Sequence, residues 1–398
     1  MKTLGLILFV CIQIYFQPNN NAQSLPFLNL NPSPELNGLA LSGVSFPNDD
    51  PFGFYYNPAM LGYSSKYNNL STQFYTNQTN WLGNEFYPYR SFAINLGYNF
   101  NREMKEFNLS FGAGFIHNTF HFDYGEIALE KDSYNAFGLG ASVDYYVTLS
   151  LGFTTKSIHS DLGLHLTDAN AIDYGILLLV PIVKLFDDNL SFKINNKSIL
   201  KPSINYSVGY SRLNLGDEVY YTDPEHSNPL PLTARLGHTI TLGINYKANN
   251  LSLNLIKYSL ILEADDILVS KDSIFYKHSS QGVFGDIDVW KNLVLLKGDN
   301  NVLVHRGHSI QLLETVTILL GSLDGKVFNA SGINETDGVI ISSSGFLKWL
   351  NSVVGTDFSY FVSNHLKINY IISYVHWVTH IKTKFSGISI ALTNFSFN

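Results

Sequence analysis

His305-Arg306-Gly307-His308 places two imidazoles close together, a grouping that could ligate a metal. It lacks the glutamate and the four-residue histidine spacing of a zinc-protease helix, and it leads into a strand pattern. Its expected role is a polar start to that strand. His117 and His121 share one strand face, but about 13 Å apart, too far to hold one ion unaided. Gly112-Ala113-Gly114 and Gly138-Leu139-Gly140 sit within strand patterns, with no helix start to receive a pyrophosphate. Ser342-Ser343-Ser344-Gly345 lacks the first glycine of a nucleophile elbow. No Ser/His/Asp set or carboxylate pair stands out for acid–base work. The expectation is therefore a protein that is not an enzyme and that holds no metal and no cofactor.

Composition says what must carry these residues. Charged residues are 14% of the 398 and aromatics 14%, against a usual charged share of about 25%. A soluble surface of this size needs more charge, whereas a barrel with a lipid-facing wall does not. The net charge of −7 argues against a nucleic-acid partner, which would want a basic stripe. Residues 1–22 read as a signal peptide: Lys2, an apolar run from Leu4 to Phe16, then polar residues. Its removal takes Lys2 away, moving the charge from −7 to −8, and takes the single cysteine, Cys11. No disulfide or thiolate site is then expected in the mature chain.

No later window is apolar for long enough to make a membrane helix. What recurs is period-two alternation. Phe92, Ile94, Leu96, Tyr98 and Phe100 alternate with Ala93, Asn95, Gly97 and Asn99. Leu366 to Tyr374 and Ile240 to Tyr246 behave alike. The off-face residues are mostly Gly, Ser, Asn and Thr, not the Lys and Glu of a solvated sandwich. These patterns predict strands over 66–77, 90–101, 106–121, 133–146, 147–158, 170–182 and 203–215. They continue over 232–247, 249–263, 301–311, 313–321, 354–363, 365–378 and 383–397. The fold class is thus all-β: an antiparallel transmembrane β-barrel of about 14 strands. Asn249-Asn250 and Asn364 read as tight turns at one end. A bulge near Asn394 accounts for the parity change that brings Phe395 and Phe397 into phase. Arg212 and Arg235 are expected in the lumen or at an interface, because a charge facing mid-bilayer lipid costs about 2–4 kcal/mol.

One stretch resists both helix and strand. Residues 37–63 carry four glycines and three prolines among many large apolar side chains. Such a segment cannot be left in water and must pack inside something. Asn48, Asp49, Asp50 and Pro51 form its turn, with Asp49 and Asp50 read as turn residues in preference to a polar gate.

This stretch, ending in Tyr55-Tyr56-Asn57-Pro58-Ala59-Met60-Leu61-Gly62, resembles the N-terminal motif of the PorV/PorQ family, Bacteroidetes outer-membrane barrels related to the FadL hydrophobic-compound transporters. The blocks at 152–179 and 206–237 are similar to that family as well. The resemblance implies a hatch in a 14-stranded barrel, with Asn57, Pro58 and Ala59 fixing its backbone. The expected domains are a signal peptide at 1–22, an N-terminal segment with lumenal hatch at 23–64, and a barrel at 65–398. The resemblance also implies a location in the outer membrane of a Gram-negative, Bacteroidetes-like cell. The implied partners are outer-membrane lipid, a type IX secretion channel and its secreted cargo. The alternative is a FadL-like transporter of small hydrophobic compounds. Partner surfaces are expected on two long excursions of the outer side, Asp265–Asn300 and Leu323–Val353. The second holds a short amphipathic helix, with Phe346, Leu347, Trp349 and Leu350 as a candidate partner loop.

Overall fold

The computed structural model describes residues 25–395 except 81–86, 101–106, 124–128, 162, 164, 221–226, 249–250, 273–274, 279–281, 326–332 and 378–380. The signal-peptide reading, the turn at Asn249-Asn250 and the penultimate Phe397 therefore lie outside the described residues.

The long strands are β1 (Asn69–Tyr75), β2 (Pro88–Asn99), β3 (Asn108–Asp123), β4 (Leu129–Asp144), β5 (Thr148–Asp161), β6 (Leu166–Pro181) and β7 (Ser198–Gly216). They continue as β8 (Thr233–Ala248), β9 (Leu251–Ile267), β10 (Val302–Leu312), β11 (Val316–Asp324), β12 (Ile333–Ser342), β13 (Leu366–Trp377) and β14 (Lys382–Thr393). Each pairs antiparallel with its chain neighbours, and β1 pairs with both β14 and β2, which closes a 14-strand barrel. With an even strand number, β1 starts and β14 ends at one rim, the terminal rim. The opposite rim is the far rim.

Alternation decides the two faces, since successive side chains on a strand point opposite ways. Along β2, Phe92, Ile94 and Leu96 are exposed on the outside, while Ala93, Asn95 and Gly97 face in. Phe137 and Leu139 on β4, Leu151 and Phe153 on β5, and Leu242 and Ile244 on β8 extend the apolar outer belt. No helix among the described residues is long and apolar enough to cross a membrane.

The strand reading needs correction in one place. Residues 354–363 are not a strand. They end helix α4 (Ser344–Val354) and form most of helix α5 (Asp357–His365). The missing strand is β12, inside the stretch read as a loop. Thr356 caps α5 through a reciprocal capping box with Ser359, which outweighs the strand-like aromatics at 358–361. Asn364 is accordingly in the last turn of α5 rather than in a tight turn. The supposed bulge near Asn394 is the end of β14, where Asn394 turns left-handed at φ 59°.

The two excursions also lie at opposite ends. The insertion 268–301 follows β9 at the far rim and folds back on the outer wall. There the Tyr210 hydroxyl donates to the Val283 carbonyl at 2.7 Å, and the Tyr210 and Phe284 rings stand edge to face. The α4–α5 hairpin instead joins β12 to β13 at the terminal rim, so the two excursions do not share the one outer side expected for both Asp265–Asn300 and Leu323–Val353.

Candidate functional site: the plugged lumen

The N-terminal segment fills the barrel. It includes short helices α1 (Pro34–Asn37) and α2 (Ala59–Ser65); α3 (Ile182–Phe186) lies apart from it, between β6 and β7. Its path is a lap around the inner wall. Pro34 lies against Gly387 of β14, Ala40 against Gly321 of β11, and Leu39 with Ser42 against Gly307 of β10. Val44 then lies on Gly209 of β7, Asn57 on Gly175 of β6, Pro58 on Gly152 of β5 and Gly62 on Gly140 of β4. Ser65 reaches Gly97 of β2, and the chain enters β1 at Asn69. The segment thus meets the strands in reverse order and becomes the first of them.

Glycine makes this approach possible. A Cβ at Gly209 would overlap the Val44 carbonyl, and one at Gly152 would overlap the Pro58 carbonyl. Gly97, Gly112, Gly140, Gly152 and Gly175 are direct cross-strand partners in succession, so five neighbouring strands share one groove. Gly209 and Gly237 pair likewise, as do Gly307 and Gly321. Of the Gly-x-Gly pairs read as strand features, Gly112 and Gly140 thus sit where the plug backbone meets the wall, and Gly114 and Gly138 make room for the Leu61 and Phe54 side chains.

Polar groups complete the seat. The Ser207, Ser211 and Ser150 hydroxyls donate to the carbonyls of Ser45, Tyr56 and Ala59 at 2.7, 2.7 and 2.6 Å. On β9, Glu263 stands between Gly237 of β8 and His305 of β10, and its carboxylate accepts from the Gly43 and Ser45 amides at 2.8 and 3.1 Å. Each such bond satisfies a plug backbone group that the lumen hides from water.

The motif residues divide by role. Asn57 is buried and ties three segments together. Its amide donates to Val44 at 2.7 Å and to Ile176 of β6 at 3.0 Å, and its oxygen accepts from Ala59 N at 3.0 Å. Pro58 and Ala59 are buried at the start of α2. Asp50 is buried, accepts from Phe52 N at 2.9 Å and from the Ser33 hydroxyl, and is pushed up to about 6 by burial. Asn48 accepts from Asp50 N at 3.2 Å, and the Pro51 carbonyl accepts from Asn95 of β2 at 3.0 Å. Asp49 is exposed, and Lys367 of β13, at 2.7 Å, holds its carboxyl below the usual range. Replacing Asn57 by alanine should lower unfolding free energy by about 1–3 kcal/mol, because two carbonyls and an amide lose buried partners. Urea unfolding of the refolded protein in vesicles measures it.

Two wall cations clamp the tyrosines before Asn57. Lys156 of β5 lies 4.4 Å from the centre of the Tyr55 ring, and the Arg235 guanidinium 4.0 Å from that of Tyr56. Lys156 pairs with Asp173 of β6 at 2.9 Å with both side chains fully buried. Arg235 pairs with Asp265 of β9 at 3.1 Å, and Asp265 also binds His305. His305 is not a polar start to a strand. It lies inside β10, buried, with Nδ1 2.6 Å from the Ala40 carbonyl. His308 faces the other way, against Tyr258. Arg235 is in the lumen, while Arg212 faces outward near the far rim opposite Tyr174. No group of three or more His, Cys, Asp or Glu among the described residues could hold a metal. Sequence reasoning passed over Lys156, Asp173 and Glu263, although a lone charge on a lumen-facing strand position is itself a signal.

Phe346 and Trp349 are exposed and Leu347 and Leu350 half-buried, all on α4 at the terminal rim. Glu314, in the β10–β11 turn, anchors that helix. It accepts from Lys348 at 2.5 Å and from the Asn254 backbone and side chain at 2.8 and 2.9 Å. Burial opposes the charge, but Lys348 and Asn254 hold the carboxyl below its usual range. A depressed carboxyl stabilises above its unfolded pKa and loses that contribution as pH falls through the folded one. Acidification below about pH 4 should therefore release α4, read as faster hydrogen exchange over 344–354.

No protein-family model and no curated protein matches this sequence. Solved structures are similar at low identity. CdiB from Acinetobacter baumannii is 10% identical with a TM-score of 0.34; the match covers 82% of this chain and only 59% of the CdiB chain. The beta domain of the Bordetella autotransporter BrkA is 10% identical, TM-score 0.38, covering 83% and 98% of the two chains. The P. putida toluene transporter TodX is 10% identical, TM-score 0.34, covering 86% and 93%. The architecture rests on the strand pairing described above.

Proposed function

We propose that this chain is a non-enzymatic outer-membrane barrel of the PorV/PorQ type, working in type IX protein secretion or in delivery of cargo to the cell surface. It acts as a stoppered scaffold, not as an open pore. The apolar outer belt supports a place in lipid, since a closed barrel leaves no strand edge unpaired in the bilayer. The observation that carries the scaffold reading is the glycine groove. A plug whose backbone is seated in grooves on most strands of its own barrel is part of the wall. Moving it would break buried hydrogen bonds around the circumference.

A second reading, a FadL-like transporter of small hydrophobic compounds, draws on one feature. Beside the plug the lumen is lined with aromatics: Tyr55 stacks on Tyr134 at 5.5 Å, and Tyr75 contacts Tyr89 and Phe385.

The experiment has two arms. Envelope fractions are washed with alkaline carbonate, and the tagged chain is then crosslinked and isolated from cells of its source. Retention in the membrane with recovery of a secretion channel and its cargo is the expected result. Release by carbonate would overturn the barrel-in-lipid reading. Retention without the channel, joined to lost uptake of hydrophobic compounds in a deletion strain, would favour the transporter.

A further inference from the structure

We infer that the α4–α5 hairpin is an in-plane membrane anchor, lying in the headgroup boundary of the leaflet at the terminal rim. The inference rests on the barrel-in-lipid reading above. Phe346, Trp349, Val353, Phe358, Tyr360 and Phe361 are all exposed large apolar side chains within one short hairpin. An apolar patch of this density marks a membrane or partner surface.

Three observations choose lipid. The first is direction. Helix α4 leaves β12, crosses the β10–β11 turn, where Gly345 lies against the Leu313 carbonyl, and reaches β9; α5 then returns to β13. The pair therefore runs along the rim, parallel to the plane of a bilayer that holds the barrel. With 11 and 9 residues, neither helix can cross it. The second is sidedness. Lys348 and Ser344 face the barrel through Glu314, and Asn351 holds Ser359 of α5 at 2.9 Å, so polar groups are used inward and the apolar stripe points away. Residues 344–365 carry only two charged residues, Lys348 and Asp357, which leaves the outer face without the charges of a polar protein interface. The third is continuity. Outward-facing Ile368 and Tyr370 of β13, Ile341 of β12 and Leu312 of β10 are exposed at the same rim, so the apolar belt runs into the hairpin. An amphipathic helix beside such a belt buries its apolar face at the boundary between headgroups and acyl chains. A Trp there is the usual interfacial residue.

The test uses the refolded full chain in vesicles of brominated phosphatidylcholine. In a background with Trp81, Trp290 and Trp377 replaced by Phe, Trp349 is the only indole, and a sister variant carries Leu139→Trp with Trp349→Phe as the wall control. Should the background fail to fold, the same quantity is read as the difference between wild type and Trp349→Phe. The expected result is at least two-fold quenching of Trp349 by bromines near the headgroup, weaker quenching by deep ones, and protection from aqueous iodide. If Leu139→Trp is quenched while Trp349 is not, the anchor is overturned and the barrel reading stands. That holds whether iodide reaches Trp349, leaving it in water, or does not, leaving it under protein such as a second copy. If neither indole is quenched, the barrel-in-lipid reading falls and the anchor falls with it.

Discussion

Asp173→Asn is expected to lower the unfolding free energy by about 3–5 kcal/mol, the usual consequence of stranding one member of a buried ion pair. Lys156 keeps only neutral partners in that variant, the Asn214 side-chain oxygen at 2.7 Å and the Tyr55 ring. Neither replaces a counter-charge in a fully buried place. Asn214 suffers too, because its amide donates to Asp173 at 2.7 Å and its backbone is left-handed at φ 60°. A second substitution separates the charge from the shape. Lys156→Met together with Asp173→Leu should recover more than half of the loss, since apolar replacement of a whole buried pair is often neutral or better. Urea titration in vesicles, followed by tryptophan emission and by gel mobility without heating, reads both variants. A single-variant loss under about 1 kcal/mol, the scale of a surface pair, would show that the pair does not hold the plug.

Deleting residues 37–63 should turn a silent protein into a conducting one. The segment supplies the lap around the inner wall from β13 to β3 and the aromatic filling at its centre. Wild type should show no resolved current steps in planar bilayers, and the deletion should show steps in most insertions. A subtler variant covers the case in which the deletion does not fold. Gly209→Val, or Gly152→Val, leaves every plug residue in place but drives a side chain into the plug backbone. Overpacking of that kind costs about 1–3 kcal/mol, and more where backbone cannot yield. The plug should then part from the wall, giving flickering conductance and new protease cleavage between residues 44 and 58. Silent bilayers for both variants, with correctly folded protein, would refute the plug.

Much of this molecule can be read without coordinates. The two faces of β2, β4 and β8 are visible because lipid and lumen ask for different side chains at alternate positions. The irregular apolar run at 37–63 can be assigned an interior, because water would not tolerate it. Local pattern misled where two signals competed. Ile333–Ser342 opens with polar residues and alternates too briefly, while Phe358, Tyr360 and Phe361 imitate a strand across a capped helix.

The sequence by itself determined the strands, the barrel class and an interior segment, because those follow from side chains a few residues apart. The tertiary structure alone decided what the glycines are for. Gly97, Gly112, Gly140, Gly152 and Gly175 become one groove only after the register of each strand pair is set. Likewise Lys156 meets Asp173 and Asn214, and Arg235 meets Asp265, only when β5 to β9 stand side by side. The physical reason is that register and closure are properties of the whole ring. Each pairing depends on turn lengths and plug contacts summed around the circumference, and no local window contains them.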